Sequence, residues 1–430
     1  MKKILFILYT CCILLFPVSA QQIPSFKAND RIVFLGNSIT EGGHYHSYIW
    51  LYYMTHFPEL PLRIYNGGIG GDCASHMVFR FDSDIKIKKP TYLVCSFGMN
   101  DSGYDGYNKP GYDKYANKQV EYANTEFGKL QQQILADKKI KNVVLLGSSP
   151  YDENVKLEGV ETLHGKNETI KRIIEMQAEV AQKRGWGFVN FNTVMCELNK
   201  EIQQSDSTAT FCGGDRIHPD KDGHMVMAYL FLKAQGLAGK EVAYFHINAT
   251  NRKAMEERNC RITHIKNEND TISFSYLSRS LPFPVDTIPR WGTKGTARDA
   301  VRQVPFMQEM NQEIMKVTDL HGNFRVTIDG TEIGRWDGNE LSKGINLAEI
   351  TCTPQYQQSL SIMYLNEERC AIEKRLRQYM AMQYVFFKHR GLLFADNKAA
   401  LDAAKAERES HYLVKYLYTN YTQAMFPQIR

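Results

Sequence analysis

The sequence predicts a three-layer α/β/α domain built on a parallel five-stranded sheet, followed by a small β unit and a helical C-terminal region. Three observations lead there. Short runs rich in β-branched and aromatic residues alternate with longer runs at helical spacing, the short runs are bounded by glycine or polar turns, and the alternation stops near Gly239. Strand and helix repeating in this way is the pattern of a parallel sheet covered by helices on both faces, with right-handed crossovers.

Lys2 and Lys3, the apolar run Ile4 to Pro17 and the small-residue site Val18-Ser19-Ala20 read as a signal peptide over 1–20, cut after Ala20, so the protein is expected to be exported, periplasmic or secreted. Leu8-Tyr9-Thr10-Cys11 is a poor lipobox placed too early for a lipid anchor, and no transmembrane segment follows. The sheet domain is expected over 21–240. Its strands are Arg31 to Leu35, Leu62 to Tyr65, Thr91 to Phe97, Asn142 to Leu146 and Gly187 to Phe191; helical spacing marks Val120 to Lys138, Glu168 to Arg184 and His224 to Ala234. A β-rich region over 241–350 carries strands at Tyr244 to Ile247 and Thr271 to Tyr276, and a hairpin in which Asp329-Gly330 joins Phe324–Ile328 to Thr331–Trp336. In 351–430, Ile372, Leu376, Tyr379 and Gln383 to Phe387 fall at helical spacing, and a second amphipathic stretch, Asn397 to Tyr421, follows a break at Gly391. The apolar stripe of this region is expected to pack on the first domain rather than meet a membrane.

Three short blocks carry chemistry: Gly36-Asn37-Ser38-Ile39-Thr40, Gly98-Met99-Asn100-Asp101 and Asp215-Arg216-Ile217-His218. Ser38 by itself reads as a helix N-cap and His218 by itself as a buried, hydrogen-bonded histidine. Together they supply a nucleophile, an oxyanion donor and a base with its orienting carboxylate. Their placement agrees, because open parallel sheets bind ligands outside the carboxyl ends of the strands, where strand order reverses. Ser38 follows the first strand, Gly70-Gly71-Asp72 the second and Gly98 to Asn100 the third, while Asp215 and His218 precede the final helix. A serine hydroxyl is a weak nucleophile at neutral pH and needs an imidazole to take its proton and return it to the leaving alcohol. Asp215, three residues before His218, is spaced to accept from the other ring nitrogen and fix the tautomer.

On these residues the chain resembles the SGNH hydrolases, the GDSL-type esterases and lipases, over about its first 240 residues. The resemblance implies a flavodoxin-like fold with Ser38 as nucleophile, Asp215 and His218 as acid and base, and Ser38, Gly71 and Asn100 as oxyanion donors. It implies no metal or organic cofactor. The chain departs from the family at Asn37, where Gly-Asp-Ser is usual; the family's triad acid is the later aspartate, so no catalytic group is missing.

Other features weigh less. Gly67-Gly68-Ile69-Gly70-Gly71 reads as a turn needing positive φ, in preference to a phosphate cradle, since no Gly-x-Gly-x-x-Gly or Gly-Lys-Ser/Thr is present. His44 and His46 read as loop histidines, solvated or facing substrate, without a third ligand for a metal. Asp220 and Asp222 read as carboxylates at a helix N-terminus beside His224. The cysteines beyond the leader, Cys73, Cys95, Cys196, Cys212, Cys260, Cys352 and Cys370, are odd in number, so at least one is unpaired within the chain; a Cys196–Cys212 bridge would brace the loop before Asp215, and buried free thiols are the simpler reading. A net charge of +5, smaller once the leader leaves, gives no support for nucleic-acid binding.

Substrate choice belongs to loops. Asp101 to Tyr115 begins beside Asn100 and carries Tyr104, Tyr107, Tyr112 and Tyr115. It reads either as a sugar-stacking rim, with Tyr104, Tyr107 and Tyr112 as candidate substrate-binding residues, or as a surface loop with nothing bound. The expected function is an exported serine esterase that removes small acyl groups, O-acetyl foremost, from carbohydrate through an acyl-enzyme. A lipase, lysophospholipase or thioesterase is the alternative within the class. A catalytically silent glycan-binding or scaffold protein is the alternative outside it. The sequence leaves the oligomeric state open.

Overall fold

The computed structural model describes residues 22–269, 271–288 and 295–429. The signal peptide expected over 1–20 lies outside them. In the first unit the order is β1 (Arg31–Gly36), α1 (Ser38–Gly42), α2 (His44–His56), β2 (Arg63–Gly68), α3 (Ala74–Arg80), β3 (Tyr92–Phe97), α4 (Tyr112–Ala136), β4 (Asn142–Gly147), α5 (Lys166–Arg184), β5 (Gly187–Asn190), α6 (Phe191–Ile202) and α7 (Lys221–Ala234). All five strands are parallel, in the order β2-β1-β3-β4-β5. The chain reverses direction across the sheet between β1 and β3, which opens a crevice at their carboxyl ends. Val33, Leu35, Leu93 and Cys95 face one apolar core with Phe127 and Leu130 of α4, and Ile32, Phe34, Tyr92 and Val94 face the other with Ile49, Tyr52 and Phe231.

The sequence reading missed α2 and placed His44 and His46 in a loop. The reason is visible in its burial: Tyr45, His46, Ser47, Tyr48, Ile49, Leu51, Tyr52 and Tyr53 are all buried. A helix enclosed on every side has no amphipathic stripe to detect. The glycine run also differs from expectation. Gly67 and Gly68 continue β2, where a Cβ on Gly68 would lie 2.2 Å from the Glu41 nitrogen, and of the run only Gly71 has positive φ, at 81°. Phe191 opens α6 instead of ending a strand, and α4 begins at Tyr112, which shortens the tyrosine-bearing loop.

Beyond α7 the elements are β6 (Ala243–Asn248), β7 (Lys253–Arg258), β8 (Cys260–Glu268), β9 (Thr271–Ser278), α8 (Ala297–Gln303), α9 (Phe306–Met310), β10 (Glu313–Thr318), β11 (Asn323–Ile328), β12 (Thr331–Asp337), α10 (Gly338–Lys343) and β13 (Ile345–Asn346). A four-stranded sheet runs β13-β10-β6-β7, and β8-β9 and β11-β12 are separate ladders. The hairpin read at Asp329-Gly330 is present as β11 and β12.

The last part is helical: α11 (Pro354–Ala381), a wide turn over Met382–Phe387, α12 (Lys398–Ala406) and α13 (Tyr412–Ile429). Helix α11 meets the first unit through Met363, buried in one core with Ile49 and Tyr52, and then through polar bonds, Asn366 to Ser47 and Glu373 to Asn66, whereas Ile372 and Leu376 stand exposed. Further apolar packing is supplied by Met382, Phe386, Phe387, Ala400, Val414 and Tyr421, which form one core with Ile69 of the first unit. No described helix is long and apolar enough to cross a membrane.

Candidate active site

Ser38 opens α1 in the crevice beyond β1. Asn37 caps this helix, its side-chain oxygen accepting the Ile39 N–H at 3.0 Å. The turn is tight: a Cβ on Gly36 would fall 2.0 Å from Thr40 Oγ1. Ser38 itself is half-buried, and the serine Oγ lies 2.8 Å from His218 Nε2.

His218 Nδ1 lies 2.5 Å from Asp215 Oδ2, and the other carboxylate oxygen accepts the N–H groups of Ile217 at 3.0 Å and His218 at 2.9 Å. Burial raises the Asp215 pKa, but the His218 ring and the two amides outweigh it and hold the carboxyl below its ordinary value. Between them Arg216 turns inward at φ 70°, its guanidinium donating to Val155 O at 2.6 Å and Asp152 O at 3.1 Å. This buried arginine ties the Asp215–His218 loop to the chain after β4. The sequence reading gave it no role, because nothing in residue order distinguishes an inward arginine from a solvated one.

Two further turns follow the carboxyl ends of β2 and β3. In Ile69 to Asp72, the Gly70 N–H donates to Glu41 Oε2 at 2.5 Å, and a Cβ on Gly70 would lie 3.9 Å from that of Ser38. In Gly98 to Asp101, Asp101 is buried and pins both ends of the junction, accepting from Gly98 N and Ala74 N, each at 2.8 Å. Asn100 donates one amide hydrogen to Asp72 O at 3.0 Å and accepts from the Tyr104 hydroxyl at 2.8 Å, so its orientation is set and a second amide hydrogen is left. The Ser38 N–H, as the first of a helix, has no intrahelical acceptor.

Lys166 is fully buried beneath this turn. Its ammonium donates to Met99 O at 2.9 Å, Ser102 Oγ at 2.6 Å and Gly103 O at 2.6 Å and sits 3.8 Å from the Tyr104 ring centre. Burial pushes its pKa down to about 7. It too was missed, since a lysine at the start of a helix ordinarily signals solvent.

The three tyrosines separate. Tyr104 stays beside Asn100, whereas Tyr107 is 2% exposed, bonded through its hydroxyl to Ser102 O at 2.7 Å, and does not form a rim. Tyr112 is exposed at the start of α4, its ring against Gly165. His46 is buried in α2 with its Nε2 3.2 Å from Thr40 O, which corrects its reading as a solvated or substrate-facing residue, and no group of three metal-binding side chains occurs among the described residues. Cys196 and Cys212 are free, each accepting from a different asparagine, Asn167 and Asn199, so the suggested bridge is absent.

A parallel β2-β1-β3-β4-β5 sheet with a serine, a histidine and an aspartate gathered at its carboxyl edge defines a class, and the comparisons agree with it: the chain belongs to the GDSL-like lipase/acylhydrolase family, whose profile matches residues 34–226, and is a serine ester hydrolase of the SGNH type. More particularly, it is similar over 96% of its length to the solved structure of a gut microbial diltiazem-metabolizing enzyme, with 48% identity, 93% of that chain covered and a TM-score of 0.92. Residues 360–430 match the profile of a diltiazem deacetylase C-terminal helical domain. An acetylxylan esterase from Geobacillus stearothermophilus is 22% identical over 224 residues, 49% of this chain and 95% of that one. The crystal structure of a catalytic mutant of an acetylxylan esterase from that organism aligns with a TM-score of 0.39 at 20% identity, covering 49% of this chain and 96% of that one.

Proposed function

We propose that Ser38, His218 and Asp215 are the catalytic triad of an acetyl-selective esterase. The observation that carries this is the continuous hydrogen-bonded line Asp215–His218–Ser38, at 2.5 Å and 2.8 Å. His218 Nε2 takes the Ser38 proton as Oγ attacks the ester carbonyl. Asp215 holds the Nδ1–H tautomer and stabilises the imidazolium. The oxyanion is met by the N–H groups of Ser38 and Gly71 and by the remaining amide hydrogen of Asn100. Collapse of the tetrahedral adduct expels the alcohol, which receives the proton from His218. Water, deprotonated by the same imidazole, then attacks the acyl-enzyme and releases acetate and free Ser38.

The acetyl preference is supported by likeness to the diltiazem-metabolizing enzyme, which extends through the C-terminal helices. For the alcohol we assign O-acetylated carbohydrate as one substrate, reached after export of the chain from Gln21 onward, with Tyr104 as its stacking surface. The same likeness favours diltiazem as a second.

Hydrolysis of 4-nitrophenyl acetate, butyrate, octanoate and palmitate by the chain from Gln21, beside Ser38→Ala and His218→Ala, tests the reading. A maximum at acetate, lost in both variants, supports it; acetate release from acetylated xylo-oligosaccharides and from diltiazem then ranks the alcohols. A maximum at long chains makes the enzyme a lipase. Turnover that survives Ser38→Ala removes the proposed nucleophile, and no turnover on any ester favours a binding protein.

A further inference from the structure

The strand β2 is the edge of the five-stranded sheet, so alternate backbone groups point away from β1 and need other partners. Helix α11 supplies them. Glu373 accepts the Asn66 N–H at 2.7 Å, and Arg377 Nε donates to Gly68 O at 2.9 Å. The Arg377 guanidinium continues to Asp84, with both Nη atoms on its carboxylate at 2.8 Å and 2.7 Å. Asp84 also accepts from Arg80 at 2.6 Å, and Arg80 reaches Asp72 at 2.7 Å, Gly67 O at 2.7 Å and Gly36 O at 3.2 Å. Arg377, Asp84 and Arg80 are all buried, so these charge-assisted bonds are shielded from water.

The same turn is held a second way. The Ile69 side chain, between Gly68 and Gly70, is fully buried in the apolar core made by Met382, Tyr384, Phe386 and Phe387. Gly68 O and Ile69 therefore fix the peptide planes that lead to the Gly71 N–H, and Asp72, tied to Arg80, presents the carbonyl that orients Asn100.

We infer that Arg377 is a positioning residue for the oxyanion donors: the C-terminal helical region completes the hydrolase site from outside the sheet domain by clamping the Gly68–Asp72 turn. This rests on the assignment of Gly71 and Asn100 as donors. A displacement of the order of 1 Å at such a site costs up to about a hundredfold in rate. Lysine cannot replace Arg377, since one ammonium cannot span the Gly68 carbonyl and both Asp84 oxygens in a planar fork.

The experiment separates positioning from folding by counting working sites. Wild type, Arg377→Lys, Arg377→Gln, Ile69→Val and the control Lys398→Gln are titrated with a fluorophosphonate that labels Ser38, and kcat for 4-nitrophenyl acetate is expressed per labelled site. Lys398 is an exposed residue of α12 that pairs with Asp402. The expected result is a kcat per site about 10- to 100-fold lower in both Arg377 variants, a smaller loss in Ile69→Val, KM nearly unchanged, and wild-type behaviour in Lys398→Gln. Should Arg377→Gln fail to fold, Arg377→Lys and Ile69→Val carry the test. Fewer labelled sites with unchanged kcat per site would make the clamp structural only and overturn the inference while leaving the triad standing. Absence of label on Ser38 in the wild type would overturn both.

Discussion

The side-chain oxygen of Asn37 accepts the N–H of Ile39 at 3.0 Å, so the residue before Ser38 caps the helix that Ser38 opens. Aspartate would accept the same bond, which explains why asparagine serves where relatives of this family usually have aspartate. Asn37→Asp is expected to leave kcat/KM close to wild type, whereas Asn37→Ala removes the cap and lowers stability by about 1 kcal/mol. Thermal unfolding and acetate-ester turnover on the same preparations check both; a severe loss of turnover in Asn37→Asp would show that the amide hydrogens matter, not the oxygen.

In the proposed triad Asp215 fixes the tautomer of His218, with which it is hydrogen-bonded, and offsets the charge that develops on its ring. Asp215→Asn is therefore expected to reduce kcat about 10³- to 10⁴-fold with folding intact. The measurement is kcat beside near-ultraviolet circular dichroism; a loss below tenfold would mean that another group orients the imidazole.

Tyr104 and Asn100 form a directed pair in which the phenol donates to the amide oxygen at 2.8 Å. Asn100→Ala removes a proposed oxyanion donor and is expected to cost about 10²- to 10³-fold in kcat. Tyr104→Phe leaves the amide in place and held by its bond to Asp72 O alone, so its loss should be smaller and fall on kcat. If Tyr104→Phe instead raised KM for acetylated oligosaccharides alone, the hydroxyl would be a substrate contact.

Tyr107 is assigned to the interior, so Tyr107→Phe should leave KM for every ester unchanged and lower stability by about 1 kcal/mol through the lost bond to Ser102 O. A substrate-dependent change in KM would return Tyr107 to the binding surface.

His46 and His56 are held down to about 4 by burial. Unfolded, they titrate near 6.5, so between the two values the unfolded chain binds more protons than the folded one. Their contribution to stability is intact above about pH 6.5, falls by up to about 1.4 kcal/mol per pH unit for each histidine on acidification, and levels off below pH 4. Urea midpoints measured across this range should show a shallower slope for His56→Gln than for wild type. Parallel slopes would mean that His56 does not titrate on unfolding.

The five strands, the three blocks and the Asp329-Gly330 hairpin were legible in the sequence because each is a local signal: apolar runs bounded by turns, and polar residues placed just after strands. What was not legible depends on enclosure from all sides. Helix α2 carries no polar face, Lys166 and Arg216 are basic yet inward, and the stretch of α11 from Asn366 onward packs through Asn366, Glu373 and Arg377 while Ile372 and Leu376 face solvent. Amphipathic reasoning assigns such helices the wrong face, since it assumes that burial selects apolar side chains, and here burial is compensated by hydrogen bonds and ion pairs.

The seat of Ile69 has a consequence in time. Residues 381–421, which form that seat, leave the ribosome long after the sheet and the Ser38 block. Until they emerge, the turn after β2 is held by bonds within the first unit, Gly70 N–H to Glu41 and Arg80 to Gly67 O, and lacks the Arg377 and Ile69 contacts. If the clamp acts as inferred, a nascent or truncated chain without these residues would carry Ser38 and His218 yet turn over esters more slowly than one that has them.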